Sequence, residues 1–260
     1  MRDIIIEKIR EIERKHTVKV LLAVESGSRA WGFASPDSDY DVRFIYVKPL
    51  EWYVSVAERR DTIESMSPDR LLDFSGWELR KTLRLLGKTN PNLSDWLMAD
   101  DIYLADREFL ADIRQAQREY YNPISAMYHF FNISKRHDAG YLQRNGCIIK
   151  RFLYFLRGVL ACEYISRHRC HPPVAFLDLV DATVEDPEIR EMIYSMIALK
   201  SQSKEHDTVE VSAALRDYAF AIYDRWNSEI AGFRPARDFP SDGFSPLDAM
   251  LLKYVLRCWQ

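Results

Sequence analysis

Two aspartates, Asp39 and Asp41, stand one residue apart in the sequence SPDSDYDVRF, directly before an apolar stretch. Residues two apart on a β-strand project from the same face, so both carboxylates would point to one side. Two like charges held on one face repel each other unless a cation lies between them. Mg²⁺ suits that position because it prefers oxygen ligands and is commonly held by one or two carboxylates together with substrate phosphates. The spacing therefore predicts a magnesium site.

A glycine and a serine, Gly27 and Ser28, precede Asp39 with ten residues between them. Glycine lets backbone N–H groups approach a phosphate closely, and the serine hydroxyl adds a donor. Taken alone, the run from Pro36 to Asp39 is also typical of a simple turn, where Asp and Ser bond their own backbone. The combination of apolar strand, Gly-Ser, spacer, Asp-x-Asp and a second apolar strand favours a site for phosphate and metal.

Short strands are predicted on both sides of this motif. The runs at residues 18–24 and 42–47 are apolar and β-branched, and the segment between them is rich in Gly, Ser and Pro. An amphipathic helix with isoleucines at helical spacing precedes the first strand, and a third strand at residues 70–74 leads into a helix at residues 77–86. These elements would position the two aspartates.

After about residue 105 the short β-branched runs stop and long helical patterns replace them. The predicted helices are Asp106 to Tyr120, Pro123 to Ala139, Gly146 to His168, Pro187 to Lys200, Val209 to Ala231 and Ser245 to Trp259. The sequence thus predicts an α+β fold with a short mixed sheet and helices in residues 1–105, followed by an all-α helical domain, residues 106–260, that packs on it.

Composition places few limits on the partners of this protein. The formal net charge of -3 gives no overall basic field, although a local basic face could still bind nucleic acid. Four cysteines without CxxC spacing favour a reducing cytoplasm, because a core of this size needs no disulfides. We expect no signal peptide and no membrane span, since charges interrupt every apolar run.

The Gly27-Ser28 pair, the spacer and the Asp39-x-Asp41 motif resemble the nucleotidyltransferases of the DNA polymerase β superfamily. A wider set of runs resembles its uncharacterised bacterial and phage subgroup, which is predicted to act in RNA repair and is named for its association with RNA ligase. Those runs are GSRAWGFASPDSDYDVRFIYV, LLDFSGWELRKTLRLLGKTNPNLSDWL, YLQRNGCIIKRFLYFLRGVLACEYI and HPPVAF, within about residues 20–176. The resemblance implies a polymerase-β-like nucleotidyltransferase core in residues 1–105.

The resemblance also implies a reaction, in which a nucleoside monophosphate passes from an NTP to an acceptor hydroxyl with loss of pyrophosphate. This is a nucleotidyltransferase activity of the EC 2.7.7 type, with ATP as the expected nucleotide. Asp39 and Asp41 would hold two Mg²⁺ ions, for which Mn²⁺ could substitute. Asp73 would bind the catalytic ion and orient or deprotonate the acceptor. An RNA end is the expected acceptor, and an RNA ligase or another protein is an expected partner.

Asp73 is open to a second interpretation, as the N-cap of the helix after Gly76 or as a simple acid at the end of a strand. Three other acids are rivals for the third metal ligand, but none lies inside an apolar strand that could run beside Asp41. These rivals are Asp61, Glu64 and Asp69.

Two groups of residues are predicted to bind the nucleotide. Gly27, Ser28 and Arg29 would hold the triphosphate. In a later helix, three residues at positions i, i+4 and i+7 share a face and would reach the triphosphate and the base or ribose; alternatively they form a solvated basic face. They are Lys150, Tyr154 and Arg157, and a second basic cluster consists of Lys135, Arg136 and His137.

Two further functions remain open from the sequence. Minimal transferases of the superfamily with the same motif spacing can act as antitoxins that adenylylate a protein, although this chain is much longer than those enzymes. A catalytically idle nucleotide-binding scaffold for an RNA-repair complex is the other alternative. The presence of Asp39, Asp41 and Asp73 argues against an idle site.

Overall fold

Strands are concentrated in the first 105 residues of the chain, and helices dominate the remainder. The computed structural model describes residues 1–138, 147–202, 208–233 and 244–259. The first elements are α1 (Arg2–His16), β1 (Lys19–Ser26), α2 (Gly27–Ala30), β2 (Tyr40–Val47), α3 (Leu50–Tyr53), β3 (Thr62–Met66), β4 (Leu72–Glu78), α4 (Leu79–Gly87), α5 (Pro91–Met98), β5 (Ile102–Ala105) and α6 (Arg107–Tyr120). They are followed by α7 (Pro123–Asp138), β6 (Cys147–Ile148), α8 (Ile149–His168), α9 (Phe176–Thr183), α10 (Pro187–Gln202), β7 (Thr208–Val209), α11 (Ala213–Glu229), a 3₁₀ turn (Ile230–Gly232) and α12 (Pro246–Trp259).

The main sheet has five strands in the order β3-β4-β2-β1-β5. β1 pairs antiparallel with β2 and with β5, and β3 pairs antiparallel with β4, whereas β2 and β4 are parallel. This mixed sheet with its helices confirms the predicted α+β class. One small addition is the antiparallel pair β6-β7, which lies in a part of the chain that was predicted to be entirely helical. Two predicted helix ends, Ala139 and Gly146, lie outside the described residues.

The two faces of the main sheet pack against different helices. Val42, Phe44 and Tyr46 of β2 belong to a core cluster with the buried isoleucines of α1. Ile45 and Val47 belong to a second cluster, to which α4, α5, α6 and α12 contribute. Because side chains alternate along a strand, residues 41 and 43 lie on the same face as Ile45. Each fully buried Ile, Leu or Phe contributes about 1.5–3 kcal/mol to this packing.

β4 extends further than the sequence indicates, and α4 begins at Leu79 rather than at Trp77. β4 stays paired with β2 as far as Glu78 and with β3 as far as Trp77, so the chain is still extended there. Gly76 fits within the strand because a Cβ atom at this position would lie 2.1 Å from Cε2 of Phe44, whose ring occupies the space beside it. The N-cap of α4 is Glu78. Asp73 is therefore a strand residue, and its interpretation as the N-cap of this helix is wrong.

Glu78 is a buried N-cap whose protonation affects stability. Its carboxylate accepts hydrogen bonds from the N–H groups of Arg80 (2.8 Å) and Lys81 (3.2 Å) and from the hydroxyl of Tyr53. Burial nevertheless raises the pKa of Glu78 above its ordinary value. Because the pKa of Glu78 is higher in the folded chain than in the unfolded chain, the folded chain is stabilised when this carboxyl is protonated. That stabilisation is complete at pH values below the pKa of the unfolded chain, and it is lost as the pH rises through the pKa of the folded chain.

We therefore expect Glu78→Gln, which keeps an acceptor at the helix start but cannot ionise, to gain stability relative to the parent as the pH rises. The measurement is the thermal unfolding midpoint of both proteins from pH 4.5 to about 7. Glu7→Gln, which removes the same charge from an exposed position, is the matched control. A Glu78→Gln difference that does not change with pH would contradict this expectation.

Contacts within the described chain group into two compact units that are interleaved in sequence. The first unit holds Met1–Ala30, Asp39–Tyr121 and α12. The second, which we call the helical unit, holds Trp31–Ser38 and the described residues from Asn122 to Phe233. Most of the spacer between Ser28 and Asp39 thus belongs to the helical unit. The division at residue 105 stays a prediction.

In the helical unit, α7 and α8 pack closely at Gly158. A Cβ atom there would lie 2.0 Å from Oγ of Ser134 and 2.6 Å from the carbonyl oxygen of Phe130. The spacer segment packs in the same unit: the Phe176 N–H donates to the Trp31 carbonyl (3.0 Å). Within the described ranges, no helix is long and apolar enough to cross a membrane.

Candidate active site

Asp41 and Asp73 lie side by side on the parallel strands β2 and β4, where their Cα atoms are register partners. Arg43 lies two residues after Asp41 and shares its face of β2. The Nη2 of Arg43 donates to Oδ1 of Asp41 at 2.5 Å and to Oδ2 of Asp73 at 2.9 Å. One guanidinium nitrogen therefore joins the two carboxylates.

This group of three charges is only partly exposed to solvent. The side-chain exposures are 19% for Arg43, 20% for Asp41 and 28% for Asp73. Arg43 also donates from Nη1 to the backbone carbonyl of Asp73 at 3.2 Å. Partly buried charges are screened less than exposed ones, so the attraction of Arg43 for both carboxylates is stronger here than it would be on an open surface.

Gly27 makes room for the Asp41 carboxylate. Its backbone is left-handed, with φ +63°, and a Cβ atom at this position would lie 2.0 Å from Oδ2 and 2.8 Å from Cγ of Asp41. An alanine therefore cannot occupy the position unless the aspartate moves. Phosphate binding by Gly27 stays a prediction. The contact with Asp41 is an additional reason for glycine at this position.

Glu25 is a functional candidate that the sequence argument missed. This residue of β1 is 3% exposed, and its Oε1 accepts a hydrogen bond from the backbone N–H of Asp41 at 2.9 Å. Its Oε2 accepts a hydrogen bond from the hydroxyl of Tyr103. Burial raises the pKa of Glu25, and the nearby charge of Asp41 raises it further. Glu25 fixes the backbone of Asp41. The sequence feature that could have identified it is an acidic residue inside the apolar strand that directly precedes the Gly-Ser pair.

Arg29 fixes the chain on the other side of Asp41. Its guanidinium lies 3.8 Å from the centroid of the Tyr40 ring, and its Nε donates to the backbone carbonyl of Asp39 at 3.0 Å. A cation over an aromatic ring contributes about 0.5–2 kcal/mol. Ser28 is half-buried in the short helix α2. Arg29 and Ser28 thus lie in the same unit as Asp39 and Asp41.

The three predicted metal ligands are brought together only in part. Asp41 and Asp73 are paired through Arg43, and Asp39 directly precedes β2. Within the described residues, no group of three or more His, Cys, Asp or Glu side chains is placed to hold a metal ion. The pair itself fits a divalent cation, because it offers hard oxygen donors from adjacent strands that already share one cationic partner.

The rival acids have other partners. Asp61 pairs with Lys81 (2.9 Å) and Glu64 with Arg60 (2.5 Å). Asp69 lies in the turn before β4, where it accepts a hydrogen bond from the N–H of Leu71. None of these three is a register partner of Asp41, whereas Asp73 is. The role of Asp73 as third metal ligand stays a prediction.

Tyr154 and Arg157 of α8 meet around Trp31 in the helical unit. The ring centroids of Tyr154 and Trp31 are 4.8 Å apart, and the guanidinium of Arg157 lies 4.6 Å from the Trp31 centroid. Arg157 is 3% exposed and donates to the carbonyls of Val174 (2.9 Å) and Pro173 (3.4 Å). Arg157 is thus not part of a solvated face, which was the alternative interpretation.

Lys150 lies half-buried in the first turn of α8. In the second basic cluster, Lys135 and Arg136 are exposed, whereas the ring of His137 lies 5.2 Å from that of Tyr154. Burial lowers the pKa of His137. The roles of Lys150, Tyr154 and Arg157 in nucleotide binding stay predictions.

We expect Arg157→Met to lower the free energy of unfolding by about 1–3 kcal/mol, because the carbonyls of Pro173 and Val174 lose the hydrogen bonds that they accept from a buried guanidinium. Urea unfolding at neutral pH measures this loss. Arg136→Met removes an exposed arginine from α7 and should have a small effect. Equal stability of the Arg157 variant and the parent would show that the guanidinium is not needed for folding. Ligand binding would then be the remaining explanation for its burial.

Comparison with known protein families identifies the class of this protein. Residues 1–230 match the RNA repair pathway DNA polymerase beta family, RlaP, and the chain belongs to that family. This confirms the resemblance seen in the sequence motifs.

Among individual proteins, the chain is 44% identical to the uncharacterized protein YcgL of Bacillus subtilis (strain 168) over 260 residues, which cover 100% of this chain and 98% of that protein. Among solved structures, it is similar to a nucleotidyltransferase-like protein from Exiguobacterium sibiricum 255-15, with 12% identity. The match covers 95% of this chain and 78% of the other, and its TM-score of 0.32 is too low to support a conclusion.

Proposed function

We propose that this protein is a magnesium-dependent nucleotidyltransferase that transfers a nucleoside monophosphate from an NTP, with ATP expected, to a hydroxyl at an RNA end. The observation that carries the proposal is the pairing of Asp41 and Asp73 on adjacent strands, beside Gly27 at the start of α2. Membership in an RNA repair family supports RNA as the acceptor. An RNA ligase partner and a cytoplasmic location stay predictions.

Asp41 and Asp73 would hold the metal, with Asp39 as the further ligand that the motif predicts. Bound there, Mg²⁺ would neutralise charge on the phosphates and on the attacking and leaving oxygens. Glu25 would keep the Asp41 backbone fixed, and Gly27 would leave room for its carboxylate. Such positioning matters because phosphoryl transfer depends mainly on alignment and electrostatic stabilisation.

In the proposed reaction, the acceptor oxygen forms a bond to the α-phosphorus of the NTP, and the bond from that phosphorus to the bridging oxygen breaks. Pyrophosphate carries away the electron pair of the broken bond. The acceptor proton passes to the carboxylate of Asp73. Gly27, Ser28 and Arg29 would bind the triphosphate, and Lys150, Tyr154 and Arg157 stay predicted nucleotide-binding residues of α8.

The test is incubation of the purified full chain and Mg²⁺ with each α-labelled NTP, with and without short RNAs and tRNA. A double variant, Asp39→Ala with Asp41→Ala, is the control. Label on RNA that is absent from the control would support the proposal and identify the nucleotide. Label on protein alone would contradict the RNA acceptor and favour an adenylylating enzyme, whereas NTP binding without transfer would favour a scaffold.

A further inference from the structure

Arg43 holds both of the carboxylates that would bind the metal. It lies within the same strand as Asp41 and reaches across to β4, where it contacts both the side chain and the backbone of Asp73. A single nitrogen, Nη2, approaches one oxygen of each aspartate. Arg43 therefore supplies the positive charge that two adjacent carboxylates require.

The same pair of oxygens cannot serve Arg43 and a metal ion in the same way. Nη2 of Arg43 lies between Oδ1 of Asp41 and Oδ2 of Asp73, and Mg²⁺, which binds oxygen at about 2.0–2.1 Å, would need that same position to bridge the two carboxylates through these oxygens. Two cations held by one carboxylate pair would also repel each other. A metal ion that bridges the two carboxylates at this position therefore requires Arg43 to release at least one of them.

We propose that Arg43 is a positioning residue that acts as a built-in counter-cation: it holds the Asp41 and Asp73 carboxylates together before the metal arrives and is displaced from them when the metal binds. This inference rests on the proposed function, because it assigns the metal to the same two aspartates. The Nη1 contact with the Asp73 carbonyl does not involve a carboxylate, so Arg43 keeps one partner after it is displaced.

Because Arg43 must be displaced, the site has a low affinity for a metal ion that arrives without a nucleotide. A metal ion alone adds positive charge beside a guanidinium that has lost a carboxylate partner. A metal bound to a nucleotide brings phosphate oxygens, whose negative charge compensates the released guanidinium. Arg43 thus favours entry of the metal together with the NTP over entry of the metal alone.

The test is calorimetric titration of the nucleotide-free full chain with Mn²⁺, compared between the parent and Arg43→Gln. We expect Arg43→Gln to bind Mn²⁺ at least about tenfold more tightly, because no guanidinium competes for the oxygens. A non-hydrolysable ATP analogue should reduce this difference. Thermal unfolding gives a second measurement: the variant should unfold at a lower temperature without metal and gain more from Mn²⁺ than the parent does.

Arg60→Gln, which removes an arginine paired with an exposed acid, is the matched control and should bind Mn²⁺ as the parent does. If Arg43→Gln fails to fold, Arg43→Lys takes its place, since an ammonium lacks the fixed fork with which Nη1 holds the Asp73 carbonyl while Nη2 holds the carboxylates, and it should compete less well. Equal or weaker Mn²⁺ binding by the Arg43 variant overturns this inference alone. Absence of Mn²⁺ binding in both proteins, or unchanged binding in Asp41→Asn, overturns the proposed metal site and this inference with it.

Discussion

Asp41→Asn should abolish nucleotidyl transfer while the chain still folds. The amide has almost the same shape as the carboxylate and keeps an oxygen that can accept from Arg43, but it removes the negative charge from the pair. In a site that relies on electrostatic stabilisation, loss of one such group costs roughly 10²–10³-fold in rate. Transfer of label from an α-labelled NTP measures the loss, and thermal unfolding shows whether the fold is kept.

The matched control for Asp41→Asn is Asp100→Asn, which makes the same chemical change at an exposed position outside the sheet. It should transfer nucleotide at the rate of the parent. Undiminished transfer by Asp41→Asn would show that the metal does not depend on this carboxylate, and the assignment of Asp41 would be wrong.

Gly27→Ala should also inactivate the protein, for a reason that the structure provides. The new methyl group would occupy the position 2.0 Å from Oδ2 of Asp41, so the carboxylate must leave its place beside Asp73. The positive φ adds a backbone strain of about 1–3 kcal/mol. We expect loss of transfer together with a lower unfolding temperature.

Gly32→Ala separates these two effects. Gly32 has φ +84°, but a Cβ atom there would meet nothing within 4 Å. The control therefore carries the backbone strain without the clash with a carboxylate. Both variants should lose stability, and only Gly27→Ala should lose Mn²⁺ binding. Similar Mn²⁺ affinities in the two glycine variants would show that Asp41 can move without harm to the metal site.

The sequence places Asp39, Asp41 and Asp73 in or beside short apolar strands, and the structure has them there, whereas their role in metal binding stays a prediction. The contacts of Arg43 and Glu25 depend instead on strands that are distant in sequence. Arg43 reaches Asp73 through the parallel pairing of β2 and β4, and Glu25 meets Tyr103 on β5. β5 has four residues, which is too short for a clear alternating pattern. A charged residue in a predicted strand gives no indication of its partner.

Packing also decided two features of the fold that local patterns could not. The start of α4 follows from the pairing of β4 with β2 and β3, which continues as far as Glu78 and Trp77. α12 has a clear helical pattern, and its burial of Leu247, Tyr254 and Val255 in the same cluster as β1 and β2 follows from tertiary structure alone. A periodic apolar pattern predicts that a helix forms, whereas the elements against which the helix packs depend on the fold of the whole chain.

The place of Trp31–Ser38 in the helical unit has a consequence for how proteins of this family can be divided or recombined. In the spacer, Phe33 packs against Phe176, and Ser35 accepts a hydrogen bond from the buried Lys200 at 3.0 Å. A fragment that ended after α6 would retain the Gly-Ser pair and the aspartates but lose the residues on which the spacer folds. Grafting the motif onto another sheet would fail for the same reason, so the smallest portable module includes α8, α9 and α10.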